Sequence, residues 1–172
     1  MIVLIDSGIL GKLCNPNSSA EVEVAREKLY SLLAKGVYVV SSQICDYEVR
    51  RSLILNSMRG LSSEGISNLD KLSEFINFLP INDAVLKEAA NLWAETRIQG
   101  IPTADDKSLD ADIIICAQYK LLGKKYPGRY IASQRVAGSQ PVEATGEGVI
   151  ATTNVKHLSP FTEAKEWQEI KF

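Results

Sequence analysis

The chain has 172 residues, 45% of them hydrophobic and 23% charged, with a formal net charge of −2. That length suits one domain around one core, large enough to fold without disulfide staples. The near-neutral balance excludes a chain that attracts nucleic acid by overall charge, so any such site needs a local basic patch or bound divalent cations. No apolar run approaches a membrane span. The opening MIVLIDSG carries no basic leader and does not read as a signal peptide, so the expected location is the cytoplasm.

Residues 2–5, Ile-Val-Leu-Ile, form a continuous apolar run ending at Asp6, the pattern of a strand buried on both faces. Ser7 then offers a helix N-cap. Val22, Ala25, Leu29, Leu32 and Leu33 repeat at helical spacing, and Gly36 stops that helix. Residues 37–40 read as a second buried strand. Ser41 or Ser42 caps a helix running through Glu48, Leu53 and Leu55.

Leu69, Leu72, Phe75, Ile76 and Leu79 mark a fourth helix, and 78–81 suggests a short strand whose pairing Pro80 limits. Val85, Ala89, Leu92, Trp93 and Thr96 give a fifth helix, followed by a loop containing Asp105 and Asp106. Asp110 is placed to cap a sixth helix over Asp112 to Leu122. Residues 124–147 form a long segment, expected to hold some local structure or a function. Residues 149–152 read as a late strand, and a terminal helix is expected near Thr162 to Trp167. Strands alternating with helices predict a three-layer α/β/α fold with a central, mostly parallel sheet, in a single domain spanning 1–172 with 124–147 as an insertion.

Cys14, Cys45 and Cys116 form no CxxC pair and sit in apolar helical contexts, so buried reduced thiols are expected. His157 is the one histidine. Closely spaced zinc ligands are absent, and no GxSxG elbow accompanies His157.

Ligands of open parallel sheets bind at the carboxyl ends of the strands. Asp6 ends the first strand, Glu48 lies early in the helix after the second, Asp112 opens the sixth helix, and Asn154 follows the last strand. These positions are expected to converge on one sheet edge. Converging carboxylates repel one another, and a divalent cation removes the conflict. Magnesium prefers oxygen ligands and commonly joins carboxylates to a substrate phosphate. The helix N-terminus at Asp112 adds positive partial charge.

The segments VLIDSG, SSQICDYEVRRSL, LDADIIICAQYKL and VIATTNVKHLSPF resemble, in order, the motifs of the PIN-domain nuclease family. The resemblance spans nearly the whole chain. It implies a PIN-like fold and a metal-dependent ribonuclease using Mg2+ or Mn2+. Asp6, Glu48 and Asp112 would be its catalytic metal ligands, with Thr152 and Asn154 as polar support. Many members resemble VapC toxins, which a small antitoxin holds inactive, and the family is often dimeric. Two departures stand out. Asn154 replaces an acid that many members carry, which weakens a second metal, and the 124–147 segment replaces a short connection.

Plainer roles stand beside these. Asp6 could cap a helix, Glu48 could be a solvated helical acid, and Asp112 a favourable first-turn acid. Ser7 is first a cap and secondarily a support for the site. Asp110 is first a cap and secondarily a metal contact. Asp46, two positions from Glu48, faces elsewhere. Arg50 and Arg51 after Glu48, with Lys124 and Lys125, are surface cations that could hold phosphates if they flank the acids. The competing functions are a PIN-like nucleic-acid or protein binding module with weak or lost catalysis and, more remotely, a phosphatase of the haloacid dehalogenase type. The latter wants Asp-x-Asp where this chain has Asp6-Ser7-Gly8.

Overall fold

In the computed structural model, the described residues are 1–100, 110–125, 130–132, 142–144, 148–153 and 155–171. Asp105, Asp106 and Asn154 lie outside them, as do the side chains of Lys124, Lys125 and His157 and most of 124–147.

The strand β1 (Ile2–Ile5) is buried at every position, as its unbroken apolar run requires. It pairs in parallel with β2 (Tyr38–Ser42) on one side and β6 (Gly148–Thr152) on the other. The short β3 (Asn77–Leu79) flanks β2, and β7 (Ala164–Glu166) flanks β6. The order β3-β2-β1-β6-β7 is parallel throughout, so the expected parallel α/β sheet is the one found. Parallel neighbours need long crossovers, which the helices supply. β3 stops directly before Pro80, which has no N–H to give to a ladder.

The helices are α1 (Ser7–Cys14), α2 (Ala20–Ala34), α3 (Gln43–Met58), α4 (Glu64–Leu72), α5 (Asp83–Ile98), α6 (Ala111–Lys125) and the short α7 (Val155–Leu158). Ser19 and Asn82 cap α2 and α5 through their side-chain oxygens, and Gly36 ends α2 at φ 71°, a conformation that favours glycine. Ser42 is the cap of α3, accepting from the Ile44 N–H at 3.1 Å. Gln118 of α6 donates to the carbonyls of Leu79 and Pro80, each at 3.1 Å, and so fastens α6 to the end of β3. Within 124–147, β4 (Tyr130–Ala132) and β5 (Val142–Ala144) pair in antiparallel fashion.

Three expectations change. The cap of α1 is Asp6, and Ser7 is the first helical residue, because the Asp6 carboxylate accepts from the Ile9 N–H at 2.8 Å. The fourth helix begins at Glu64 and ends at Leu72. Beyond it the chain tightens through i→i−3 bonds at Glu74 and Phe75, and buried Ile76 leads into β3. The segment from Thr162 to Trp167 is not a helix. It supplies β7 at the open edge of β6, and Trp167 is then buried with its indole N–H on the Ala25 carbonyl at 3.2 Å. An available ladder and an aromatic anchor outweigh local preference there.

All three cysteines are free and buried, as expected. Burial is the largest cause pushing each thiol up to about 12. No helix among the described residues is long and apolar enough to cross a membrane.

Candidate active site

The sheet register brings the site together. Ile5 lies opposite Ser41 on β2 and Ala151 on β6, so the next residues, Asp6, Ser42 and Thr152, stand together where the strands end. The Asp6 N–H continues the ladder to the Ala151 carbonyl at 3.1 Å. This is the carboxyl edge at which ligands of parallel sheets bind.

Asp6 is buried, with 7% exposure. One carboxylate oxygen accepts from the Ile9 N–H, as a helix cap does. The other accepts from the Thr152 hydroxyl at 2.6 Å and from the Thr153 N–H at 3.4 Å. Burial raises the Asp6 pKa above the ordinary 3.8, while the Thr152 hydroxyl and the amides of Ile9, Thr153 and Gly8 work to lower it. Among the described residues none of its partners is a cation.

Glu48 projects from the second turn of α3. Ile44, Cys45 and Val49 turn the core face of that helix inward, and Glu48 sits at its border, half-buried. Its carboxylate accepts from the Ser7 hydroxyl at 2.5 Å, a bond spanning 41 positions of sequence. The buried Cys45 thiol interacts with the same hydroxyl and with that of Ser41. Asp6 and Glu48 are thus linked through Ser7, the residue directly after Asp6.

Asp112 stands half-buried in the first turn of α6. Asp110 caps that helix, accepting from the Ile113 N–H at 3.1 Å, as the sequence predicts. The helix packs against α3, α5 and β6. Among the described residues no three His, Cys, Asp or Glu side chains gather closely enough to hold an ion. The structure therefore joins Asp6 to Thr152 and Glu48 to Ser7, and places Asp112 on a helix that packs on α3, which carries Glu48, and on β6, which carries Thr152.

The two arginines separate. Arg50 makes a two-pronged contact with Asp46 at 2.8 and 2.9 Å and reaches Asp70 on α4 at 2.8 Å, so its guanidinium braces α3 against α4. Arg51 is 59% exposed and lies 3.9 Å from Glu48. Thr153 and Gly8 were not singled out in the sequence, yet they shape the site. A Cβ on Gly8 would lie 2.4 Å from the Thr153 hydroxyl oxygen. The close approach of α1 to the end of β6 is what brings the Thr153 N–H to Asp6.

Carboxylates with hydroxyl support, with no exposed soft ligand beside them among the described residues, are the donor type a hard divalent cation takes, although no three of them gather. Asp6 is buried and has no cationic partner among the described residues, so it is the acid whose charge such an ion would offset. An open cavity of about 250 Å³ adjoins the site, lined by Thr152, Thr153, Lys12, Glu166 and Trp167. A larger one, about 320 Å³, lies between α2 and α4 beside Tyr30 and Phe75, and none of the three acids lines it.

An all-parallel five-stranded sheet flanked by helices, with an acid closing its central strand, defines a PIN-like α/β fold. No family profile and no curated protein matches the sequence. Among solved structures the chain is similar to one from VapBC-1 of nontypeable Haemophilus influenzae, with a TM-score of 0.58 and 16% identity over 98% of this chain and 100% of the other. It is also similar to one from VapBC2 of Rickettsia felis bound to a DNA fragment from its promoter, with a TM-score of 0.61 and 16% identity over 97% and 99%. At this identity the likeness is one of fold.

Proposed function

We propose that the chain is a divalent-metal-dependent endoribonuclease that hydrolyses RNA phosphodiester bonds and acts in the cytoplasm as the toxin of a VapBC-type pair, restrained by a small antitoxin. The observation that carries this reading is Asp6, a buried carboxylate at the carboxyl edge of a PIN-like sheet, held by Thr152 and helix amides and linked through Ser7 to Glu48. Asp6, Glu48 and Asp112 would hold Mg2+ or Mn2+. When bound, such an ion neutralises phosphate charge and makes water a competent nucleophile near neutral pH.

The chain's own residues do the rest. The Thr152 hydroxyl and the amides of Ile9 and Thr153 fix the Asp6 carboxylate in place and favour its ionised form. Ser7 fixes one oxygen of Glu48 and leaves the other toward Arg51. Rigid carboxylates on helix and strand ends position a scissile phosphate without reorganisation.

A second reading, a PIN-like binding module with weak or lost catalysis, is favoured by one observation: among the described residues Asp6 and Glu48 pair with hydroxyls and no three acids gather. A cleavage assay on single-stranded RNA, with and without Mg2+ or Mn2+, separates the two. The nuclease reading expects metal-dependent cleavage that Asp6→Asn and Asp112→Asn each abolish. Full activity in both purified variants overturns it, and metal binding without cleavage by the unaltered chain selects the second reading. The toxin role expects a growth defect on expression alone, relieved by a small neighbouring gene.

A further inference from the structure

We propose that Tyr47 and Arg51 form a nucleotide platform on the exposed face of α3, where an unpaired base of single-stranded RNA stacks on the ring and the adjoining phosphate sits on the guanidinium beside Glu48. The choice of RNA rests on the nuclease reading; the platform itself rests on the following geometry.

Tyr47 and Arg51 are four residues apart on one helix, and Glu48 and Arg51 three apart, so all three side chains share one stretch of helix surface. The Arg51 guanidinium carbon lies over the Tyr47 ring, 5.3 Å from its centroid. Tyr47 is 55% exposed, so the ring is not a core residue with a stray polar end. Arg51 reaches Glu48 only at 3.9 Å, beyond a hydrogen bond, and its N–H groups have no hydrogen-bond partner among the described residues. Arg50 makes the contrast. Its donors are committed to Asp46 and Asp70, which leaves it bracing the fold.

An exposed cation–π pair and a long surface ion pair are weak contacts, so a ligand displaces or extends them at small cost. They nevertheless hold a flat cation over a flat ring. Unpaired RNA bases stack on aromatic rings and guanidinium planes, and arginine grips phosphate through paired N–H groups. A protein partner would find better footing at the other end of α3, where Ile54, Leu55 and Met58 are exposed. The end next to Glu48 offers a ring and a cation instead.

The test is fluorescence anisotropy with a labelled oligouridylate of roughly 12 nucleotides and with an abasic strand of equal length, in calcium to hold turnover down. The unaltered chain is expected to prefer the base-bearing strand. Tyr47→Ala should weaken binding of that strand about 10-fold and leave the abasic strand unchanged, while Tyr47→Phe retains affinity. Arg51→Ala should weaken both strands and lower the dependence of log affinity on log salt by about one phosphate contact. The platform is overturned if Tyr47→Ala binds the base-bearing strand normally, if it loses both strands equally, or if the unaltered chain binds neither. A change in oligomeric state with unaltered RNA affinity also overturns it, and assigns the pair to a protein contact. Binding is read without cleavage. A chain that binds RNA through Tyr47 but cleaves none therefore keeps the platform and loses the nuclease reading, and metal-dependent cleavage with normal Tyr47→Ala binding does the reverse.

Discussion

The Ser7 hydroxyl donates to the Glu48 carboxylate at 2.5 Å, tying the first turn of α1 to the second turn of α3. That bond holds one rotamer of a glutamate that is otherwise partly exposed. Ser7→Ala frees that side chain without touching Asp6. On the nuclease reading proposed above, turnover on RNA should fall roughly 10- to 100-fold with a smaller change in KM, because the loss is one of positioning. Ser7→Thr keeps the hydroxyl and should retain most activity. Equal kcat for Ser7→Ala and the unaltered chain would show that the bond holds nothing the reaction needs.

Asp6 makes stability depend on pH in a definite direction. Its folded pKa is raised by burial, so it contributes stability that is fully present below its ordinary value of 3.8 and is lost as pH rises through the folded value. At neutral pH, in a chelator, the ionised group is a cost. Asp6→Asn removes that charge and keeps a side-chain oxygen for the cap. Its Tm should exceed that of the unaltered chain at pH 7, and the gap should shrink as pH falls toward 3.8. A gap that grows on acidification would contradict the assignment.

Thr152→Val tests the other side of the same carboxylate. The Thr152 hydroxyl works to lower the Asp6 pKa, so its removal raises that pKa further. The variant should be less stable by about 1–3 kcal/mol at neutral pH. Denaturant melts should show the deficit narrowing in acid, where Asp6 is protonated in both proteins. A deficit independent of pH would mean that Thr152 acts through packing alone.

Gly8 faces Thr153 too closely for any side chain, since an added Cβ would lie 2.4 Å from Oγ1 and 3.3 Å from Cγ2. Gly8→Ala should therefore push α1 from the end of β6, costing about 1–3 kcal/mol despite the better helix propensity of alanine. Combining it with Thr153→Ala should recover much of that loss, a coupling that a double-mutant cycle reads directly. Additive losses would place the strain elsewhere.

The sheet was legible because its central strands are unbroken apolar runs, and the parallel order follows from the alternation of those runs with helical periods. Asp110 showed itself as a cap by position alone, whereas the choice between Ser41 and Ser42 fell to Ser42 through its contact with the Ile44 N–H. What stayed hidden depends on contacts far apart in sequence. Nothing local says that Asp6 rather than Ser7 caps α1. That outcome frees the Ser7 hydroxyl for a glutamate 41 positions on. The Gly8–Thr153 approach and the pairing of Arg50 with Asp70 likewise arise only once the sheet has closed. The last segment misled because Thr162 to Trp167 carries helical residues, whereas the open edge of β6 and the buried indole of Trp167 decide its form.

The most direct test of the metal-site reading is anomalous diffraction from crystals soaked in manganese. The expected result is one strong peak at coordinating distance from a carboxylate oxygen of Asp6, with Glu48 and Asp112 reaching the same ion directly or through water, and its loss in Asp6→Asn. A soaked crystal with no peak at Asp6, or with manganese bound elsewhere while Glu48 and Asp112 face separate surfaces, would contradict it.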